Sequence, residues 1–237
     1  MLISVHIPKT AGTSLKEALI DVFGKRLLLE YSTQPLSSSV VDRAVQLKCR
    51  LRVNCGGQRI VKRYDAIHGH FAAGTFVNLP CAKQFSVFLR DPVHRVISQY
   101  FHWKEEWKVQ HSMFHRSHRR LVRHSVWKYA FQNKLSINEF AALPEMVNFY
   151  SIFLSGMSLE QFDFVGLQEE YHTSLRLFEK IFGIKVQERR DNIGKQDRRE
   201  DLLADADLDG LRLTQEANLQ IYDQARRRFD QLCSQYL

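Results

Sequence analysis

The chain has 237 residues, of which 44% are hydrophobic, so it is long enough to bury a core and is expected to form one domain over residues 1–237. An excess of 34 Lys and Arg over 26 Asp and Glu gives a formal net charge of +8, which favours anionic partners. The four cysteines lack C-x2-C spacing, which excludes a zinc finger and a disulfide scaffold, and no apolar run reaches the roughly 20 residues of a membrane helix. We therefore expect a protein with reduced thiols in a cytoplasm, that of a bacterium; the alternative is a trimmed lumenal domain.

The predicted elements alternate between strands and helices. The segment 2–7 is apolar and β-branched and predicts a strand, and a capping box with Ser14 as N-cap begins a helix that ends at Gly24. The buried face of this helix is predicted to hold Leu15, Ala18, Leu19 and Val22. Further strands are predicted at 27–31, 84–92 and 162–168, with helices at 40–47, 93–103 and 169–183 and long helical stretches within 103–157 and 205–237. This order predicts an α/β fold, a three-layer P-loop-like parallel sheet with helices on both faces, whose ligands bind at the carboxyl ends of the strands.

The loop between the first strand and the first helix has the composition of an anion-binding loop. Its sequence, P-K-T-A-G-T-S, places small residues where the backbone approaches a ligand and ends at a helix N-terminus with free N–H groups. A lysine and three hydroxyls add donors. The candidate phosphate-binding residues are Lys9, Thr10, Ala11, Gly12, Thr13 and Ser14. The alternative is that these residues only form a tight turn and a helix cap.

This loop resembles the 5′-phosphosulfate loop of sulfotransferases that use 3′-phosphoadenosine 5′-phosphosulfate (PAPS), and in particular the carbohydrate branch with the heparan sulfate 2-O-sulfotransferases. The stretch F-L-R-D-P-V-H-R-V-I-S resembles the second signature of the same family. The resemblance implies the sulfotransferase fold, PAPS as donor, adenosine 3′,5′-bisphosphate (PAP) as product, and no metal. It also implies that Arg90 and Ser98 bind the 3′-phosphate.

Two weaker similarities follow along the chain. The segment 148–156 resembles the family pattern N-x-Q-x-x-x-L-x-G, with Tyr150 where Gln is usual, so the role of this segment stays open. The basic stretch 189–195 lies where relatives have a loop over the nucleotide, which implies a binding role for Lys195. An exposed basic loop is the alternative.

Transfer of a sulfuryl group to a hydroxyl requires a base for the acceptor and a positive charge at the leaving oxygen. The resemblance assigns the base to His70 in the segment A-I-H-G-H-F, and Lys9 is expected to stabilise the leaving group. If the segment is extended, His68 shares a face with His70 and could orient it or the substrate. The alternatives are a structural histidine, a metal-binding pair, or Glu105 or Glu106 as the base.

The tract 111–124 alternates His and Arg at helical spacing. It predicts a cationic wall for an acidic glycan, with a solvated helix or a metal cluster as alternatives. The leading hypothesis is thus a sulfotransferase with a nucleotide donor and a hydroxyl acceptor, on a saccharide or another small or anionic molecule, without nucleic acid or a membrane span. An atypical P-loop nucleotide kinase is one alternative, although no G-x-x-x-x-G-K-[ST] motif is present. A basic nucleic-acid-binding protein is the other.

Overall fold

Five parallel strands form one sheet in the computed structural model, which describes residues 1–10, 12–37, 40–111, 125–186 and 207–237, without the side chains of residues 13, 110, 111 and 125. The strands are β1 Leu2–Val5, β2 Leu27–Glu30, β3 Ala66–Gly69, β4 Gln84–Leu89 and β5 Phe164–Leu167. Their order is β2-β3-β1-β4-β5, and every neighbouring pair is parallel. All four residues of β1 are buried, because the central strand is covered on both faces.

Helices surround the sheet and connect its strands. They are α1 Gly12–Phe23, α2 Val40–Arg63, α3 Pro92–His111, α4 Ser125–Gln132, α5 Ile137–Ala141, α6 Pro144–Val147, α7 Phe149–Leu154, α8 Tyr171–Phe182, α9 Leu208–Thr214 and α10 Glu216–Tyr236. The predicted α/β fold with a parallel sheet is therefore confirmed. Across the described ranges, no helix combines the length and the apolar character needed to cross a membrane.

Helix α1 differs from the predicted first helix in two respects, its N-cap and the exposure of Val22. Helix α1 begins at Gly12, so Ser14 lies in its first turn and is not the N-cap. Leu15 and Leu19 are buried as predicted, whereas Val22 is 53% exposed. Gly24 ends the helix as predicted, with a φ of 49° that an L side chain rarely adopts.

Two other elements, α2 and β2, also have features that depend on tertiary contacts. Helix α2 extends to Arg63, well beyond the predicted end at Leu47, and passes through Gly57. A Cβ at Gly57 would lie 2.8 Å from Pro80 Cδ, so this glycine allows the helix to pack closely on a neighbouring loop. Strand β2 lies at the edge of the sheet, and its Leu29 is 41% exposed, because one side of an edge strand has no neighbouring strand.

Strand β3, which lies between β2 and β1, was not among the predicted strands. It pairs with β1 on one side and β2 on the other, with Ser4 opposite His68 and Leu29 opposite the same residue. The sheet order consequently brings the carboxyl ends of β3, β1 and β4 side by side, and the predicted site residues follow these three ends.

Candidate active site

The loop after β1 is held in shape by its own backbone and by Thr10. The hydroxyl of Thr10 donates a 2.8 Å hydrogen bond to the carbonyl oxygen of Ile7, and the residue is 1% exposed. This hydroxyl therefore stabilises the loop, and a binding role for Thr10 stays a prediction. Lys9 has a φ of 69°, in the left-handed region that side chains other than glycine rarely adopt. Such backbone strain is concentrated at functional loops.

Helix α1 brings its N-terminus to this loop. Its first residues leave backbone N–H groups without intrahelical partners, and its dipole favours an anion there. Gly12 is buried against the ring of His6: an added Cβ would lie 1.9 Å from His6 Nε2. Any side chain at this position would displace the imidazole, so glycine is required for close packing rather than for an unusual φ.

The second predicted anion site follows β4, the strand next to β1. Val5 and Val87 are paired in the sheet, so Arg90 and the loop after β1 lie at the same edge. The carboxylate of Asp91 accepts a 3.0 Å hydrogen bond from the backbone N–H of His94 and caps α3. Ser98, on α3 and 3% exposed, lies about two turns from this cap.

A cluster of three histidines and a tyrosine lies between the loops after β1, β2 and β3. The ring of His6 stacks on His68 at a centroid distance of 5.0 Å and contacts His70 at 4.6 Å. The hydroxyl of Tyr31 is 2.9 Å from His6 Nδ1, and its ring meets His70 edge-on at 4.7 Å. The ring centroid of Phe153 lies 6.4 Å from that of His70, on which it packs edge-on. His68 and His70 thus both contact the His6 ring, as their predicted shared face requires.

The two innermost histidines are held neutral. Burial, followed by the charges of His68 and Lys16, lowers the pKa of His6 to about 3. Burial and the neighbouring His70 lower the pKa of His68 to about 3 as well. His68 is completely buried, and its Nδ1 is 2.9 Å from Ser4 Oγ, so it contributes to the packing of the cluster. Burial also raises the pKa of Tyr31 to about 12, which keeps its hydroxyl protonated.

Glu106 on α3 lies within electrostatic range of the first loop. Burial raises the pKa of this carboxyl, and the charge of Lys9 opposes that shift. Its Oε1 is 3.5 Å from Nε2 of His102 one turn earlier. Glu106 is therefore a carboxylate close to Lys9, the residue that is predicted to stabilise the leaving group. This position keeps Glu106 among the candidate bases.

A cavity of about 320 Å³ adjoins the histidine cluster. Thr33, in its wall, donates a 2.6 Å hydrogen bond to the carbonyl oxygen of His70. The wall is part polar and part apolar, and its lining residues are Thr33, Pro35, Gln46, Arg50, Ala72, Thr75, Ser151, Ile152 and Ser155. Hydroxyl and amide groups with one guanidinium suit a polar ligand that carries several hydroxyls.

Several predicted residues lie outside the described part of the chain. These are Ala11, Lys195, the side chain of Thr13 and most of the His- and Arg-rich tract, residues 112–124. In the remaining ranges, no group of three His, Cys, Asp or Glu side chains is arranged to hold a metal ion.

The sequence analysis missed His6 and Tyr31 as members of the cluster. The signal was present in part, since His6 follows Ser4 by two positions, as His70 follows His68. Only the β1–β3 register, which places Ser4 opposite His68, shows that the two pairs lie next to each other.

Comparisons with known proteins identify the family of the chain. A search of curated proteins gives no significant match. The family model described as the Sulfotransferase family matches residues 1–228, nearly the whole chain. The chain therefore belongs to the sulfotransferase family.

Proposed function

We propose that this sulfotransferase moves the sulfuryl group of PAPS to an acceptor hydroxyl and releases PAP. One observation carries the proposal: the two predicted anion sites follow β1 and β4, which are neighbouring parallel strands with Val5 paired to Val87. Both sites then lie at one edge of the sheet, where a single nucleotide with a phosphate at each end could contact them.

In this proposal the first site binds the 5′-phosphosulfate. Lys9, the backbone from Gly12 onward and the dipole of α1 supply positive charge to the reacting group. As the bond between sulfur and the bridging oxygen breaks, negative charge grows on the phosphate, and Lys9 stabilises it. Arg90 and Ser98 bind the 3′-phosphate, for which the planar guanidinium provides paired donors.

His70 is the proposed base. A bond forms between the acceptor oxygen and sulfur while the proton of the acceptor hydroxyl moves to the imidazole of His70. His6 contacts the His70 ring in a tilted arrangement and Tyr31 contacts it edge-on, and together they hold the ring in place. Both neighbours are uncharged around neutral pH, so neither places a charge beside the base. Glu106 is the second candidate, because its raised pKa and its closeness to Lys9 would suit a general base.

The acceptor is proposed to occupy the cavity beside His70. Its volume of about 320 Å³ is at the lower end for small-molecule sites, and its wall combines hydroxyls with Arg50. These features support a saccharide acceptor with an acidic group, as the resemblance to the heparan sulfate 2-O branch suggests.

Calorimetric titration with PAP, ATP and AMP tests the donor class. We expect PAP to bind at least about tenfold more tightly than AMP, because a 3′-phosphate held by an arginine adds a charge-assisted hydrogen bond. ATP should bind no better than AMP. A preference for ATP that depends on magnesium would instead support the nucleotide kinase.

A further inference from the structure

The C-terminal helix α10 is connected to the turn after β4 by two series of hydrogen bonds. We propose that α10 positions Arg90 for the 3′-phosphate through two relays, one through Tyr150 to Arg90 itself and one through Glu169 to Asp91. This inference rests on the proposed function, because it assigns positioning residues to the nucleotide site.

The first relay ends on the backbone of Arg90. Tyr150 lies on α7 and is completely buried. Its hydroxyl accepts a 3.2 Å hydrogen bond from the N–H of Arg90 and donates one to the carbonyl oxygen of the same residue. A single hydroxyl can do both, because it has one donor and two lone pairs. The direction in which Arg90 leaves the strand is therefore set by the position of Tyr150.

Asn218 of α10 holds Tyr150 in turn. The backbone N–H of Tyr150 donates a 3.0 Å hydrogen bond to Asn218 Oδ1. Asn218 Nδ2 donates to the carbonyl of Met146 and to Oε1 of Gln215, both at 2.8 Å. Gln215 Nε2 donates to the carbonyl of Ala141 at 3.0 Å. Both amides are buried and satisfied, and such networks are rigid, so α7 is fixed relative to α10.

The second relay ends one residue later, at Asp91. The carboxylate of Glu169 accepts a 2.9 Å hydrogen bond from the N–H of Asp91 and a 2.6 Å bond from the hydroxyl of Tyr222. Tyr222 follows Asn218 by four positions, so the two lie on the same face of α10. The two relays therefore start one turn apart on one helix and end on consecutive residues of the turn.

A buried cation lies next to this turn. Arg95 is completely buried and stacks on the face of Phe149, 3.5 Å from the ring centroid. Its three guanidinium nitrogens have no hydrogen-bond partner among the described residues. Burial first, and then the charge of Arg90, lower its pKa to about 10, so it stays protonated at neutral pH. Two neighbouring positive charges repel each other, and a bound phosphate relieves this repulsion. Such a pair needs exact placement of Arg90, which the relays supply.

The test compares two tyrosine variants that each lose one buried hydroxyl. Tyr150→Phe removes the contact with Arg90, and Tyr100→Phe is the matched control, because the Tyr100 hydroxyl donates a 3.0 Å bond to the carbonyl of Leu135, on another part of the chain. We expect Tyr150→Phe to weaken PAP binding about fivefold to tenfold, the range of one hydrogen bond, and to leave AMP binding within about twofold. Tyr100→Phe should change neither affinity.

A double variant separates positioning from general stability. If Tyr150 acts through Arg90, then Tyr150→Phe causes no further loss of PAP binding in a chain that already carries Arg90→Ala. An equal loss for PAP and AMP in Tyr150→Phe overturns the inference, and so does an additive loss in the double variant.

Thermal unfolding shows whether Tyr150→Phe folds. If it does not, Tyr222→Phe tests the second relay in its place. It should also lower the preference for PAP over AMP, and an unchanged preference overturns the inference. If the wild-type chain binds PAP no better than AMP, the proposed function itself is refuted. If the wild type prefers PAP and the variants keep that preference, only the positioning role is refuted.

Discussion

Acidification should unfold this protein through its buried histidines. The pKa of His6 and of His68 falls from 6.5 to about 3 on folding, with burial as the main cause. Because the folded pKa is the lower one, the unfolded chain binds more protons below about pH 6.5. The stability is fully present above that pH and is lost as the pH falls toward 3.

The free energy of unfolding that is lost between about pH 7 and about pH 5.5 depends only on the histidine pKa in the unfolded chain, because both folded pKa values lie below this range. Each histidine then contributes about 1 kcal/mol, and the pair about 2 kcal/mol. Urea unfolding followed by tryptophan fluorescence at the two pH values measures this difference directly.

His68→Asn is the informative variant. An Asn side chain can keep a hydrogen bond to Ser4 Oγ, which is 2.9 Å from His68 Nδ1, but it does not titrate. The acid-induced loss should shrink by about half, whereas His172→Gln, at an exposed position on α8, should leave it unchanged. His68 also contributes to the lowered pKa of His6, but burial is the larger cause there, so most of the difference between wild type and the variant comes from His68 itself. An equal loss in wild type and His68→Asn would refute the reasoning.

Three further predictions concern the proposed site. Lys9→Ala should lower sulfate transfer from labelled PAPS to an oligosaccharide mixture by about 10² to 10³, and a change under about threefold contradicts a leaving-group role. His70→Ala should lower the same transfer by about 10² to 10⁴ and leave PAP affinity within about twofold of wild type. If His70→Ala keeps full activity and Glu106→Gln loses it, Glu106 is the base instead. Gly12→Ala places a Cβ 1.9 Å from His6 Nε2, so we expect about 1–3 kcal/mol lower stability in urea unfolding together with weaker PAP binding. Unchanged values for Gly12→Ala would mean that the His6 ring is free to move.

The sequence alone determined the parts of this protein that depend on neighbours along the chain. The β1-loop-α1 and β4-turn-α3 units could be predicted because hydrophobic period, turn residues and the loop with Lys9 act within about ten positions of each other. The same local patterns carried the family resemblance, which the match over residues 1–228 confirms for the sulfotransferase family but not for its carbohydrate branch, and they identified Arg90 and Ser98 as candidates. The roles of these residues stay predictions.

The tertiary structure decided everything that depends on contacts between distant segments. The β1–β3 register brought His6 beside His68, and no periodicity in either segment specifies that register. Packing against Pro80 extended α2 through Gly57, although glycine lowers helix propensity. The hydrogen bond between Asn218 and the backbone of Tyr150, 68 positions apart in the chain, likewise exists only because α10 packs on α7. Long-range packing outweighs local preference at these positions, since burial stabilises the chain by more than the propensity of a single residue.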